Sequence, residues 1–90
     1  MERVEIEVLD QAVNAWVIRT PGRQFPAAVI QGDSLHSFVT LSQSIVARVA
    51  ACGCGDAALL DEAEELRDQL LGRLKQFELA LGAAGLALPY

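Results

Sequence analysis

The first residues of the chain alternate apolar and polar side chains, which is the period-two pattern of a strand with one solvated face. Residues 2–9 place Val4, Ile6 and Val8 on one side and acidic or basic residues on the other. We therefore expect a first strand over residues 2–9, followed by a turn at Asp10-Gln11.

Two further strands are predicted before the pattern changes. Residues 13–19 are rich in β-branched and aromatic side chains, and residues 25–31 form a third strand in which Pro26 favours an edge position. Pro21-Gly22 supplies the turn between them, because proline fixes φ at one corner and glycine tolerates positive φ at the next. Three strands joined by short turns most simply form an antiparallel meander.

From Ser34 onward, apolar residues recur every three or four positions, as on one face of a helix. We expect helix one over residues 34–51, ended by the Cys-Gly-Cys-Gly segment, and helix two over roughly residues 57–84, with Asp56 as N-cap and Gly85 as stop. The predicted stripe of helix one is Leu35, Phe38, Val39, Ser42, Ile45, Val46 and Val49, and that of helix two is Leu59, Ala63, Leu66, Leu70, Leu74, Phe77, Leu81 and Ala84.

The predicted fold is α+β, a three-stranded antiparallel meander followed by two helices. We expect one domain over residues 1–90, with the sheet in 1–32 and a helical hairpin with a docked apolar tail in 33–90. Helix two would be about 42 Å long at 1.5 Å per residue, longer than a globule of this size, so it either kinks near Gly72 or overhangs the sheet.

Some apolar side chains of helix two lie off its main stripe, namely Leu60, Leu71 and Leu79. An overhanging helix with extra apolar surface is most simply buried by a second copy of itself. We therefore expect a homodimer or another closed homo-oligomer, with these three leucines at the contact.

Charge and composition exclude several function classes. The net charge of −5 argues against binding the phosphate backbone of nucleic acids. No stretch is apolar enough for a membrane span, and the charged N-terminal residues do not resemble a signal peptide, so a cytoplasmic protein is expected. Cys52 and Cys54 are separated only by Gly53, and a bond between them would close a strained ring, so reduced thiols are expected.

The strongest charge feature is an acidic segment in the first half of helix two. Between residues 56 and 68, Arg67 is the only base, against Asp56, Asp61, Glu62, Glu64, Glu65 and Asp68. A solvated helix face explains such a segment, and a docking surface for a basic protein partner is the alternative.

Ser34 is the one candidate nucleophile, because Gly32-Asp33-Ser34-Leu35 matches the nucleophile block of a family of serine esterases. A serine hydrolase needs a base that reaches the hydroxyl. The chain's only histidine, His36, would project about 200° away from Ser34 on one helix and cannot reach it. We therefore expect Gly32 to end the strand and Asp33 to cap helix one, with no catalytic residue in the chain.

Metal and anion sites have weaker support. His36 and Cys52 would lie about 24 Å apart on one helix, so they and Cys54 do not form a zinc set, and no metal or other cofactor is expected. Arg19 and Arg23 flank the Pro21-Gly22 turn and could bind an anion or a small molecule near the N-terminus of helix one. They could equally pair with Glu5, Glu7 or a neighbouring chain.

Three segments resemble a family of short, uncharacterised bacterial proteins of about this length. These segments are Arg19-Thr20-Pro21-Gly22-Arg23-Gln24-Phe25-Pro26, then Gln31-Gly32-Asp33-Ser34-Leu35, and the closing Leu88-Pro89-Tyr90. The resemblance implies that the Pro-Gly turn, the helix entry and the tyrosine belong to one structural unit, and it transfers no activity. The sequence favours a non-enzymatic protein-binding module, immunity- or antitoxin-like in kind. An anion-binding protein is the alternative, and an esterase using Ser34 is a remote one.

Overall fold

A computed structural model describes residues 2–12, 15–53 and 55–90 of the chain. The chain divides into two compact units, Met1–Gln31 and Gly32–Tyr90. The first contains three strands and the second contains two helices, in the order that the sequence predicts.

The strand unit is a three-stranded antiparallel sheet in the order β1-β2-β3. Strand β1 is Glu7–Ala12, β2 is Ala15–Arg19 and β3 is Ala27–Ala28. The predicted antiparallel meander is confirmed, but its first strand lies further along the chain than expected, and the predicted start of the second, Val13 and Asn14, lies outside the described residues.

The turn predicted at Asp10-Gln11 is wrong, because both residues pair with β2. The register of the β1–β2 ladder shifts between Val8 and Asp10, which is the signature of a β-bulge. A bulge inserts one residue and interrupts the alternation of side chains between the two faces of the strand. Asp10 and Gln11 therefore look like turn residues in the sequence, although the strand continues to Ala12.

The Pro21-Gly22 turn forms as predicted. The N–H of Arg23 donates to the carbonyl of Thr20 at 3.2 Å, and Gly22 has a φ of 76°. Proline at the second position and a positive φ at the third are the features of a type II turn. Beyond it, Ala27 and Ala28 form β3 opposite β2, and the N–H of Val29 donates to the carbonyl of Trp16 at 2.8 Å, so the third strand is much shorter than the predicted run over residues 25–31.

The first helix, α1, spans Gly32–Ala51. It begins slightly earlier than predicted, so Gly32 does not end a strand, and Asp33 lies in the first turn, where its carboxylate accepts the N–H of Ser34 at 2.8 Å. The hydroxyls of Ser37, Thr40 and Ser42 donate to carbonyls three or four residues earlier. These bonds satisfy polar groups that otherwise weaken a helix.

The second helix, α2, spans Ala57–Ala83 and continues through Gly72 without a break. The Asp56 side chain accepts the N–H of Leu59 at 2.9 Å, as an N-cap does. At the other end, Gly85 donates to Gly82 and Leu86 donates to Leu81, with Gly85 at a φ of 71°. These two bonds form a Schellman motif, so both predicted ends of the helix are confirmed.

The hairpin has a small core along the seam between its two antiparallel helices. Leu35, Val39 and Leu74 are buried, and Ser42 is buried beside them. Half-buried side chains of α2 pack against this core, namely Leu70, Leu71 and Phe77. Neither described helix has the combination of length and apolar content that crossing a membrane requires.

The start of α1 lies against the end of α2. A Cβ placed on Gly32 would overlap the ring of Phe77, well inside van der Waals contact. Gly32 is therefore a close-approach glycine, a role that the sequence analysis did not assign to it. This contact sets the register of the hairpin, since it places Gly32 at the level of Phe77.

Candidate functional site

The Ser34 region does not assemble a hydrolase site. His36 stacks on Tyr90 with ring centroids 3.9 Å apart and an interplanar angle of 17°. Within the described part of the chain, no hydrogen bond joins the Ser34 hydroxyl to His36, and the carboxylate of Asp33 accepts the backbone N–H of Ser34. The Gly-Asp-Ser-Leu segment starts a helix and packs it against α2.

His36, Glu78 and Tyr90 form a polar cluster that joins α1, α2 and the C-terminal tail. The Tyr90 hydroxyl donates to the carboxylate of Glu78 at 2.7 Å while its ring stacks on His36. Partial desolvation raises the pKa of Tyr90 to about 12, helped by the hydrogen bond to Glu78 and by that residue's negative charge. The predicted docking of the tail is thus a polar contact, since Leu86 and Leu88 remain 56% and 43% exposed.

The acidic segment of α2 is concentrated on one side of the helix. Asp61, Glu64, Glu65 and Asp68 are spaced by three, one and three residues, so they form one row, which we call the acidic face. Glu62 lies on another side of the helix, about 100° from its neighbour Asp61.

Most charges of the acidic face are not neutralised within the hairpin. Asp68 accepts from the Arg67 guanidinium at 3.0 Å, and Glu65 accepts from the Gln69 amide at 2.8 Å. Asp61 and Glu64 take part in no ion pair among the described residues. The face therefore presents several carboxylates to solvent on a helix fixed at both ends.

A second surface of the hairpin is apolar and exposed. On α1, Phe38, Leu41 and Ile45 are 43%, 61% and 50% exposed, and on α2, Leu59 and Leu66 are 44% and 54% exposed. We call these five residues the apolar face. The predicted stripe of each helix therefore divides into a buried row at the seam and an exposed row beside it.

The two exposed rows lie on the same side of the hairpin. Successive residues of a helix are rotated by about 100° around its axis. In each helix, the exposed row is rotated by roughly 80° from the buried row, in the direction that leads from a residue to the one before it. Because the helices are antiparallel, the same rotation in both brings the two rows to one face. The acidic face is rotated in the other sense, so the hairpin has an apolar side and an acidic side.

The leucines predicted to mediate self-association do not share one surface. Leu71 packs against the core of the hairpin. Leu60 is half-buried and lines a cavity of about 240 Å³ between the end of α1 and the start of α2, together with Val49 and Leu59. Leu79 is 75% exposed and lies on the acidic side of the helix.

The arginines at the Pro21-Gly22 turn line one depression, with mixed charge. Arg19 pairs with Glu7 directly across the β1–β2 ladder at 3.3 Å. Arg23 lines the same depression, and so does Glu5. The sequence left open whether these arginines bind an anion or pair with an acidic residue, and Arg19 forms an ion pair. The Nε atom of Arg19 is buried without a hydrogen-bond partner.

The cysteine segment differs from the expectation. Cys52 is disulfide-bonded, so the prediction of a reduced thiol is wrong for this residue. Gly53, directly after Cys52, has a φ of 65°. Cys54 lies outside the described residues. Among residues 2–12, 15–53 and 55–90, no group of three or more potential metal ligands comes together.

A family model described as a family of unknown function (DUF6959) matches residues 1–90. The chain belongs to this family. Comparisons with curated proteins and with solved structures gave no match. The match to DUF6959 spans the whole chain and assigns no activity.

Sequence reasoning found the acidic residues of this DUF6959 member but missed the apolar face and the Tyr90 cluster. Phe38, Ile45, Leu59 and Leu66 belong to the predicted stripes, and periodicity alone does not show which half of a wide stripe the partner helix covers. Leu41 did not appear in the stripe at all. The contact of Tyr90 with Glu78 and His36 joins distant segments, for which local sequence carries no signal.

Proposed function

We propose that this chain is a non-enzymatic protein-binding module, immunity- or antitoxin-like in kind, that docks a basic partner on the acidic face of α2. The observation that supports this proposal most strongly is the row formed on one side of a capped helix by the exposed Asp61, Glu65 and Asp68 and the half-buried Glu64. The proposal includes a cytoplasmic location, which the charged N-terminal residues favour and the disulfide at Cys52 opposes.

The energetics of the helix support a role for these charges beyond folding. Like charges three or four residues apart repel by a few tenths of a kcal/mol each, as for Asp61 with Glu65 and Glu64 with Asp68. Only Arg67 offsets them within the segment, through Asp68. A basic partner would remove this repulsion and would be guided to the face by its field.

A pull-down with charge-reversed protein tests the acidic face. We expect the substitutions Glu64→Lys, Glu65→Lys and Asp68→Lys to abolish recovery of a basic partner that the wild-type chain recovers. The matched control reverses the same number of exposed acids on the strand unit, Glu2, Glu5 and Asp10, and should leave recovery unchanged. Equal recovery by the wild type and the α2 variant would remove the acidic face from the account.

A second candidate is an anion or small-molecule site at the Pro21-Gly22 turn, and one observation favours it. Arg19 Nε is buried without a hydrogen-bond partner, and Arg23 lines the same depression. A phosphate or carboxylate in the depression would accept from the Arg23 guanidinium and from the exposed part of the Arg19 guanidinium. Glu5 and Glu7 line the depression as well and oppose an anion, so we rank this candidate second.

Thermal denaturation against a panel of nucleotides and phosphorylated metabolites distinguishes the second candidate from the first. A specific ligand should raise the melting temperature in a concentration-dependent way, and Arg23→Gln should cancel the rise. If no compound shifts the melting temperature, the turn is not an anion site.

The proposal excludes an esterase using Ser34, because His36 is stacked on Tyr90 rather than bonded to Ser34. Purified wild-type protein and Ser34→Ala should show the same background hydrolysis of short-chain esters. Hydrolysis that Ser34→Ala removes would contradict the non-enzymatic reading.

A further inference from the structure

The apolar face of the hairpin has the size of a protein interface. The two helices run side by side over the roughly 30 Å length of α1, and helices packed about 10 Å apart present roughly 600 Å² over that length. That area approaches the roughly 800 Å² that each partner buries in a standard protein complex. The exposed apolar side chains on this surface, flanked by the charged Glu62 and Arg73, form the kind of patch that marks an interaction site.

The exposed row of α2 is complementary to itself when it is read in the opposite direction. Glu62 and Arg73 are exposed, lie in this row three helical turns apart, and make no ion pair among the described residues. Leu66 lies between them in the row, and the half-buried Leu70, which packs against the hairpin core, borders the row. Two copies of α2 packed antiparallel would place Glu62 of each against Arg73 of the other, with Leu66 against Leu70.

The exposed row of α1 has its centre at the same level. The midpoint between Glu62 and Arg73 falls between Arg67 and Asp68, nine to ten residues before Phe77. Gly32 lies against Phe77, so the corresponding level on α1 is nine to ten residues after Gly32, at Leu41 and Ser42. That level is also the midpoint between Phe38 and Ile45.

One two-fold axis therefore fits both helices. An axis crossing the hairpin at this level pairs α2 with α2 and α1 with α1, both antiparallel. It places Phe38 against Ile45 of the second copy and brings the two copies of Leu41 together. An interface generated by a two-fold axis must be self-complementary in this way, and independent rows on two helices need not share a centre.

We propose that the apolar face binds a second copy of this chain about this axis, forming a four-helix bundle with two Glu62–Arg73 contacts between copies. The inference goes beyond the proposed docking of a basic partner and uses the opposite side of the hairpin. In such a dimer the two acidic faces remain on the outside.

Charge reversal at Glu62 and Arg73, followed by sedimentation velocity of the full chain, tests the proposal. Glu62→Arg or Arg73→Glu alone turns both contacts into like-charge pairs, so each variant should dimerise at least about tenfold more weakly than wild type. An equimolar mixture of the two variants should form a heterodimer, because both of its contacts then join opposite charges.

The matched control carries the same charge changes on the other side of α2. Glu65→Arg and Lys75→Glu should each dimerise as wild type does, and far-ultraviolet circular dichroism should show native helicity for every variant.

Leu41→Glu, which brings two carboxylates together at the axis, should also give a monomer. A monomeric wild-type chain at about 100 µM would overturn the proposal, and so would single variants that dimerise as wild type does or fail to combine when mixed.

Discussion

At the scale of single residues, the contact between Gly32 and Phe77 fixes how the two helices meet. The ring of Phe77 occupies the space that any Cβ at position 32 would need. Packing therefore requires glycine at this position, because any larger residue would keep α1 from approaching α2 this closely.

Gly32→Ala should lower the free energy of unfolding by about 1–3 kcal/mol, because the added methyl group forces the Phe77 ring to move. The same substitution should cost less in a Phe77→Leu background, where the smaller side chain leaves room. Urea denaturation of the four proteins measures this coupling. Equal costs in both backgrounds would show that the contact does not constrain the hairpin.

Tyr90 offers a direct spectroscopic test of tail docking, because it is the only tyrosine of the chain. Its phenolate absorbance should titrate near pH 12 in the folded protein and near 10 in denaturant. Glu78→Gln should move the folded midpoint toward 10, since the carboxylate charge disfavours the phenolate. A wild-type midpoint at 10 would mean that Tyr90 is not held by Glu78.

The same shift gives the pH dependence of docking. A docked Tyr90 with a raised pKa binds its proton more tightly than a free one, so docking is fully favoured below pH 10.0. The contribution is lost as pH rises from there through about 12. The ring-current shift that Tyr90 imposes on the His36 protons in the NMR spectrum should decrease over this window, whereas a shift that stays constant would show that docking does not depend on this proton.

Among the structural elements, α2 contains one glycine, Gly72, and is followed by another, Gly85, whose replacement by alanine should change the stability of the protein in opposite directions. Gly72 lies in the interior of α2, and a Cβ there meets nothing within 4 Å. Gly72→Ala should therefore stabilise the protein by about 0.5–1 kcal/mol through helix propensity. Gly85 has a φ of 71°, so Gly85→Ala should destabilise it by about 1 kcal/mol.

Thermal denaturation of both variants checks the pair. A gain in melting temperature for Gly72→Ala and a loss for Gly85→Ala would match the two backbone conformations. A loss at Gly72 would mean that the helix bends or is contacted there.

The elements that the sequence predicts well are those whose signals are local. Asp56 and Gly85 mark the ends of α2 because capping depends on nearby backbone groups, and Pro21-Gly22 marks its turn for the same reason. The β1 bulge and the length of β3 depend on which residues of the neighbouring strand are in register. Alternation within one strand carries no information about that register.

The two candidate surfaces also differ in how far the local sequence predicts them. The acidic face could be predicted because charge and helical spacing are both read directly from the chain. The apolar face could not, since its identity depends on the part of each stripe that the partner helix leaves exposed. Leu71, which was predicted to lie at a self-association contact, packs against the core of the hairpin. Phe38 and Ile45, which were predicted to lie on the buried stripe, are exposed.

In the whole molecule, the helical hairpin presents an apolar face and an acidic face on opposite sides. The apolar face meets a second copy in our proposal, and the acidic face meets a basic partner. A dimer built this way presents two acidic faces, so it could bind two partner molecules or one symmetric partner with higher avidity.

Contact with a second copy of the chain can be measured without knowing any other partner. Light scattering of the wild-type chain over a concentration series gives its molar mass directly. We expect twice the chain mass of 9.7 kDa at micromolar concentrations, falling toward the single-chain value on dilution. A mass of 9.7 kDa throughout the series would contradict the proposed dimer.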